Sequence, residues 1–242
     1  MALHTESKLI RLYSHSGLCN RLRLLSCYRE KAELEDKDIE MHWVQCPACW
    51  TPFDELFCPI PRVNFVYKKH GKNARRSRPP NSAISLAEIE QEKLNNFYLD
   101  IVPLQHIQEE IDSLRGALGD DYTACHVRRT DICRIQQKHN KVAPIDQDFF
   151  DFIEDNSSSK VLIATDNKDT QSTFERILGD RAVFVSVIPG NGSCRWPKRT
   201  TSVKDAVIDL FLCIYAKNFM GTTCSSFSGF IEAYREGLKC QT

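Results

Sequence analysis

The chain has 242 residues, enough for one large domain or two small ones, and either can bury a real core. Its hydrophobic content of 42% and charged content of 26% are those of an ordinary soluble protein, and 32 basic residues balance 32 acidic ones. That neutrality argues against a general nucleic-acid binder, which needs a basic excess, and no apolar run reaches the ~20 residues of a membrane span. Met1 to Lys8 is polar and lacks the apolar core of a secretory leader. The eleven cysteines are therefore expected as reduced thiols in a cytoplasmic setting, not as a disulfide framework.

Lys8 to Ser14 predicts a first strand, His15-Ser16-Gly17-Leu18-Cys19-Asn20 a polar, glycine-bearing turn, and Arg21 to Glu35 a helix. Leu22, Leu25, Tyr28 and Ala32 fall at helical spacing. Such a unit can hold a phosphate or a sugar, because the first helical N–H groups have no partners. Equally, it can be plain architecture. Ile39 to Val44 predicts a second strand, followed by Cys46-Pro47-Ala48-Cys49-Trp50 and, further on, Cys58. The Cys-x-x-Cys spacing suits zinc, but a structural site needs four ligands, which Cys58 and His42 or His70 would have to complete. A redox motif would have to open a helix, and here proline and aromatics follow. The expectation is a loop packed by small thiols and Trp50, without metal.

Phe53 to Phe57 reads as a short apolar helix and Val63 to Tyr67 as a third strand. The basic run Lys68 to Arg78 reads as a solvated loop. Ser85 to Glu92 and Leu99 to Leu118 predict helices, the second with Ile101, Leu104, Ile107, Ile111 and Leu114 on its apolar face. Then Tyr122 to Val127, apolar and rich in β-formers, predicts a buried strand running into Arg128, Arg129, Thr130 and Asp131. From here the alternation is regular. Helices are expected at Phe149 to Glu154, Thr170 to Leu178, Lys204 to Ala216 and Phe227 to Gly237, and strands at Val161 to Ala164, Val183 to Ile188 and Asn218 to Gly221. Strands alternating with helices mean parallel sheets covered on both faces. The expected domains are 1–115 and 116–242, two such halves meeting at a cleft.

In a parallel sheet, ligands sit beyond the carboxyl ends of the strands. Three ends in the second half carry polar clusters: His126 to Asp131, Thr165 to Asn167, and Thr222 to Ser226. Arginine grips phosphate oxygens bidentately. Serines opening a helix add hydroxyls, N–H groups and the helix dipole. Arg128 and the Ser225–Ser226 turn thus form a candidate diphosphate cradle. Each part has a structural alternative: an arginine pair in a salt bridge, Ser225, Ser226 or Asp166 as helix caps, His126 as a satisfied core histidine. Asp205 and Asp209, one helical turn apart, are either readers of a nucleobase edge or solvated charges.

His126-Val127-Arg128-Arg129-Thr130-Asp131 resembles the His-x-Arg-Arg-Thr-Asp signature of the α1,6-fucosyltransferase and protein O-fucosyltransferase superfamily, which includes the nodulation fucosyltransferases. Leu162-Ile163-Ala164-Thr165-Asp166-Asn167 is similar to its second motif, and Asp209 through Ala216 to Thr223-Cys224-Ser225-Ser226-Phe227-Ser228 to its third. Gly17-Leu18-Cys19-Asn20-Arg21-Leu22 resembles the Gly-x-x-Asn-Arg-Leu turn that opens many members. The four matches occur in the family's order.

The resemblance implies a GT-B fold of two Rossmann-like domains with parallel sheets facing across a cleft, GDP-fucose as donor, inversion at the anomeric carbon, and no metal. By position it implies Arg128 on the β-phosphate, Gly17, Thr223, Ser225 and Ser226 around the donor, His126 and Asp209 at the guanine, Asn20 from the first domain, and Asp166 as a sugar or acceptor contact. Core α1,6-fucosyltransferases carry a glutamate five residues past the motif aspartate, and this chain has Gln136 there. The base is left among His15, Asp131 and His139. The acceptor is expected to be a glycan or glycoconjugate. Two other readings stay open: the same scaffold with another nucleotide sugar, and an inactive sugar-nucleotide- or glycan-binding module, which Gln136 favours.

Overall fold

The computed structural model describes residues 8–69, 84–85, 96–130, 142–190 and 201–240, and its chain divides into two compact units, Met1–Val102 and Pro103–Thr242. In the first unit, β1 (Leu9–Ser14), α1 (Leu18–Leu34), β2 (Asp38–Gln45), β3 (Val63–Lys69) and β4 (Ile84–Ser85) follow one another. All strand pairs are parallel, in the order β3-β2-β1-β4. Leu12, Leu22, Leu25, Met41, Trp43, Phe53 and Phe57 fill its core. Helix α1 starts three residues before the predicted Arg21, because the apolar Leu18 and Cys19 are buried and pull the first turn inward. Asn20 is therefore helical, and Gly17 takes the N-cap position in extended conformation without a capping side chain. The predicted helix at Phe53 to Phe57 is a single 3₁₀ turn, Phe53–Glu55.

In the second unit, α2 (Gln105–Leu118), β5 (Thr123–Val127), α3 (Asp146–Asn156), β6 (Val161–Thr165), α4 (Lys168–Leu178), β7 (Ala182–Val183), α5 (Val203–Tyr215), β8 (Asn218–Gly221) and α6 (Ser226–Lys239) alternate. The sheet is again parallel, with order β7-β6-β5-β8. Side chains alternate across β5. Cys125 and Val127 join Phe149 and Ile153 of α3 and Phe174 of α4 in one cluster. His126 faces the other way, against Phe227 and Ser228 of α6. Both faces of β5 are covered, which is why it reads as an unbroken apolar run.

Three expectations change here. The predicted helix Leu99 to Leu118 is broken into a 3₁₀ segment, Asn96–Asp100, and α2, since proline at 103 cannot continue a helix through its own ring. Helix α2 lies in the second unit, packed on α5, and the units divide at Val102. The strand predicted over Val183 to Ile188 ends at Val183. Beyond it the Gln171 side chain substitutes for a ladder, donating from Nε2 to the Ser186 carbonyl (3.0 Å) and accepting at Oε1 from the Ile188 N–H (2.9 Å). Most of the helix expected over Ser85 to Glu92 lies outside the described residues, and Ser85 itself ends β4.

Candidate active site

In both sheets the order reverses beside the first strand, and an open parallel sheet binds ligands at such a switch point, beyond the carboxyl ends. In the second unit this point lies between β5 and β8. The residues leaving these two strands are stitched together. The Thr222 hydroxyl donates to the His126 carbonyl (2.8 Å) and accepts from the Arg128 N–H (3.0 Å), while the Thr222 N–H bonds the same carbonyl (3.0 Å). Arg128 therefore leaves the sheet against the turn Thr222–Ser225. Cys224 holds a left-handed φ of 62° in that turn and aims the chain into α6.

Ser225 occupies the N-cap of α6 and does not cap it. Asn167 and Ser202 do cap their helices, through Thr170 N–H and Asp205 N–H respectively. The Ser225 residue is only 5% exposed, yet its Oγ has no hydrogen-bond partner among the described residues. A buried hydroxyl without a partner costs roughly 1–3 kcal/mol. Beside it, the first-turn N–H groups of α6 have no side-chain cap. An anion bound at this turn would satisfy both.

His126 is buried, with its ring 4.5 Å from that of Phe227 and its Nδ1 2.7 Å from Ser228 Oγ. Burial, and secondarily the charge of Arg128, hold its pKa down to about 3. It is a neutral hydrogen-bonding ring at physiological pH, not a proton carrier. Gly221 makes this contact possible: a Cβ there would sit 2.6 Å from Ser228 Cβ.

Arg129 is committed to structure: Nε donates to Asp146 Oδ1 (3.2 Å) with Nη2 on the same oxygen, Nη1 donates to the Pro144 carbonyl (2.9 Å), and the guanidinium lies 5.6 Å over the Phe149 ring. Asp166 Oδ1 accepts the N–H groups of Arg129 (2.9 Å) and Thr130 (3.3 Å), fixing the loop that leaves β5. It does not cap α4; Asn167 does.

The remaining candidates are more scattered. Thr223 is exposed and donates to the Val142 carbonyl (3.0 Å). Ser226 opens α6, half-buried. Asp205 forms a reciprocal cap with Ser202, so its helix-start role is settled. Asp209 is half-buried in mid-α5, where it helps burial to raise the Cys213 thiol. Asp131, Gln136 and His139 lie outside the described residues.

In the first unit, exposed His15 and half-buried Gly17 follow β1, and Asn20 sits half-buried in the first turn of α1. The residue that organises this edge is Arg21, to which the sequence reading gave no role. It is fully buried, donating from Nε to the Ser16 carbonyl (2.6 Å) and from Nη2 to the Val44 carbonyl (2.7 Å), Cys46 Sγ (3.3 Å) and the Cys49 carbonyl (3.3 Å). Its guanidinium lies 4.7 Å over Trp43, and burial lowers its pKa. Cys46 and Cys49 exchange backbone hydrogen bonds (3.2 and 2.8 Å), and Cys46 Sγ donates to the His15 carbonyl (3.0 Å). The Cys-x-x-Cys segment is a hairpin with both thiols buried, whereas Trp50, expected to pack it, is half exposed. Among the described residues no group of His, Cys, Asp and Glu could hold a metal ion, and no helix is long and apolar enough to cross a membrane. Thr222, Ser228 and Arg21 fall within the motifs noted in the sequence, but their individual contacts could not be read there, because each has a partner distant in sequence.

No family model matches the chain, and no curated protein matches it by sequence. Solved structures do match. A NodZ α1,6-fucosyltransferase soaked with GDP-fucose aligns with a TM-score of 0.60 at 12% identity, over 95% of this chain and 93% of that one. The fucosyltransferase NodZ from Bradyrhizobium gives 0.58 at 12% identity, over 94% and 92%. POFUT1 in its apo form gives 0.59 at 12% identity, over 97% of each chain. Two parallel-sheet, Rossmann-like units in this arrangement of elements define a GT-B fold. More narrowly, the fold is shared with the NodZ α1,6-fucosyltransferase and POFUT1 structures.

Proposed function

We propose that the chain is an inverting fucosyltransferase that moves fucose from GDP-fucose to a hydroxyl of a glycan or glycoconjugate. The observation that carries this reading is the join of Arg128 to the Thr222–Ser225 turn, with a buried, unpartnered Ser225 hydroxyl at an uncapped helix start. The fold shared with a NodZ structure soaked with GDP-fucose supports it.

In this reading the leaving GDP gathers negative charge as the sugar departs. Arg128, Ser225, Ser226 and the α6 N-terminus stabilise that charge, doing the work a metal ion would otherwise do, and no metal is required. Neutral His126, fixed by Ser228, and Asp209 meet the base. Asp166 acts as a positioning residue, since its Oδ1 already holds two backbone N–H groups. Gly17 and Asn20 contribute from the first unit, and His15 or Asp131 takes the acceptor proton. A cytoplasmic, thiol-preserving location belongs to the same proposal.

Arg128→Ala tests it. GDP release from GDP-fucose should fall by about 10²–10³ while the melting temperature of the unliganded protein stays put. Full activity in that variant sinks the assignment. The rival reading of an inactive binding module, favoured by Gln136, requires donor binding with no GDP release from the wild-type chain.

A further inference from the structure

The Cys46–Cys49 hairpin is built more firmly than a connecting loop needs. Reciprocal backbone bonds close it, Arg21 grips it at Cys46 Sγ and the Cys49 carbonyl, and Gln45 Nε2 donates to the Trp50 carbonyl (2.8 Å). Just beyond, Trp43 Nε1 donates to the Thr51 carbonyl (3.0 Å). What this mount presents is Trp50. Its residue is 50% exposed, the only exposed aromatic among the described residues, while its neighbours Trp43, Phe53 and Phe57 are buried. The Gln45 bond is to its backbone carbonyl and leaves the indole out of the clamp.

The hairpin follows β2, so Trp50 stands at the carboxyl edge of the first sheet, where ligands of parallel sheets bind. The Cys46 thiol on the His15 carbonyl ties the hairpin to the β1–α1 turn, whose Ser16 hydroxyl is paired with Ser14 (2.7 Å). A flat, apolar face carried on a braced hairpin suits one kind of ligand: a pyranose, whose ring presents an apolar C–H face and equatorial hydroxyls. A Trp side chain has only two torsions to fix, so it spends little conformational entropy on such a contact.

We propose that Trp50 is the stacking platform for a pyranose ring of the acceptor glycan, with the Arg21–Cys46–Cys49 clamp as its mount. The word acceptor rests on the function proposed above; the sugar contact does not.

The test titrates tryptophan emission of the full chain with neutral tetrasaccharides of glucose, mannose and N-acetylglucosamine, and with mannitol, an open-chain polyol. At least one tetrasaccharide should give a saturable change and mannitol none. Trp50→Ala should weaken that response by about tenfold or more, and Trp50→Tyr by only about threefold. The thermal shift given by GDP, whose proposed site lies in the other unit, should be equal in wild type and variants, which establishes that they are folded. Should Trp50→Ala fail to fold, Trp50→Gln takes its place. A wild-type protein silent to all three sugars, or a Trp50→Ala response equal to wild type, overturns the platform. A sugar response that depends on Trp50 alongside no GDP shift at all leaves the platform standing and removes the donor reading.

Discussion

The backbone N–H groups of the two adjacent arginines are bonded by residues far away in sequence. Arg129 is held by Asp146 and Pro144 and by the Phe149 ring, so the salt-bridge alternative holds for it. The Arg128 N–H is donated to Thr222. His126 shows a second residue-scale consequence. Its pKa is held at about 3 in the folded protein, first by burial and then by Arg128, against about 6.5 in an unfolded chain. As the pH falls through 6.5 the unfolded state takes up a proton that the folded state refuses, so stability drops progressively from there toward pH 3. His126→Asn, which keeps a polar partner for Ser228, should flatten the fall in Tm between about pH 6.5 and pH 5. The same slope in wild type and variant would show that His126 does not supply it. The position of the motif arginines, His126 and the serine turn at strand ends was legible from residue type and spacing. The bonds that place Arg129 were not, because they come from Asp146, Pro144 and Asp166.

Elements meet in this protein at distances that single residues permit. Gly221 closes β8 where α6 passes, and a methyl group there would lie 2.6 Å from Ser228 Cβ and 3.1 Å from the Phe219 ring. Gly221→Ala must therefore push the start of α6 off the sheet. The expected outcome is a loss of about 1–3 kcal/mol in denaturant unfolding, together with weaker GDP binding, since Ser225 rides on the same helix start. Unchanged GDP affinity would detach the α6 N-terminus from the site. Helix α5 is finished by Arg235, whose Nη1 reaches the Ile214 carbonyl (2.8 Å) and whose Nη2 reaches that of Lys217 (3.1 Å). Most elements could be placed from periodicity, because apolar faces set them. Two failed for local reasons. A proline broke the long helix at 103, and a glutamine side chain at 171 replaced the ladder of β7, a substitution no hydrophobic pattern records.

At the scale of the whole chain, each unit repeats one strand order, with the second strand outward of the first and the fourth strand on its opposite side. The alternation of strands and helices revealed the fold class. The division at Val102 depends on α2 packing against α5 rather than on any composition shift. If the switch point of the second unit holds the donor, nucleotide binds the folded chain and not the unfolded one. GDP at ~100 times its dissociation constant should then stabilise the protein by ~2.7 kcal/mol. Equal stabilisation by UDP would remove guanine as the preferred base.

The bond from Thr222 to His126 spans 96 positions. During synthesis the arginine strand therefore emerges long before the segment it bonds, and if the donor binds where proposed, a chain arrested ahead of β8 has no site to offer. Nucleotide capture would report that the last strand has docked, so the ligand itself could distinguish finished molecules from nascent ones.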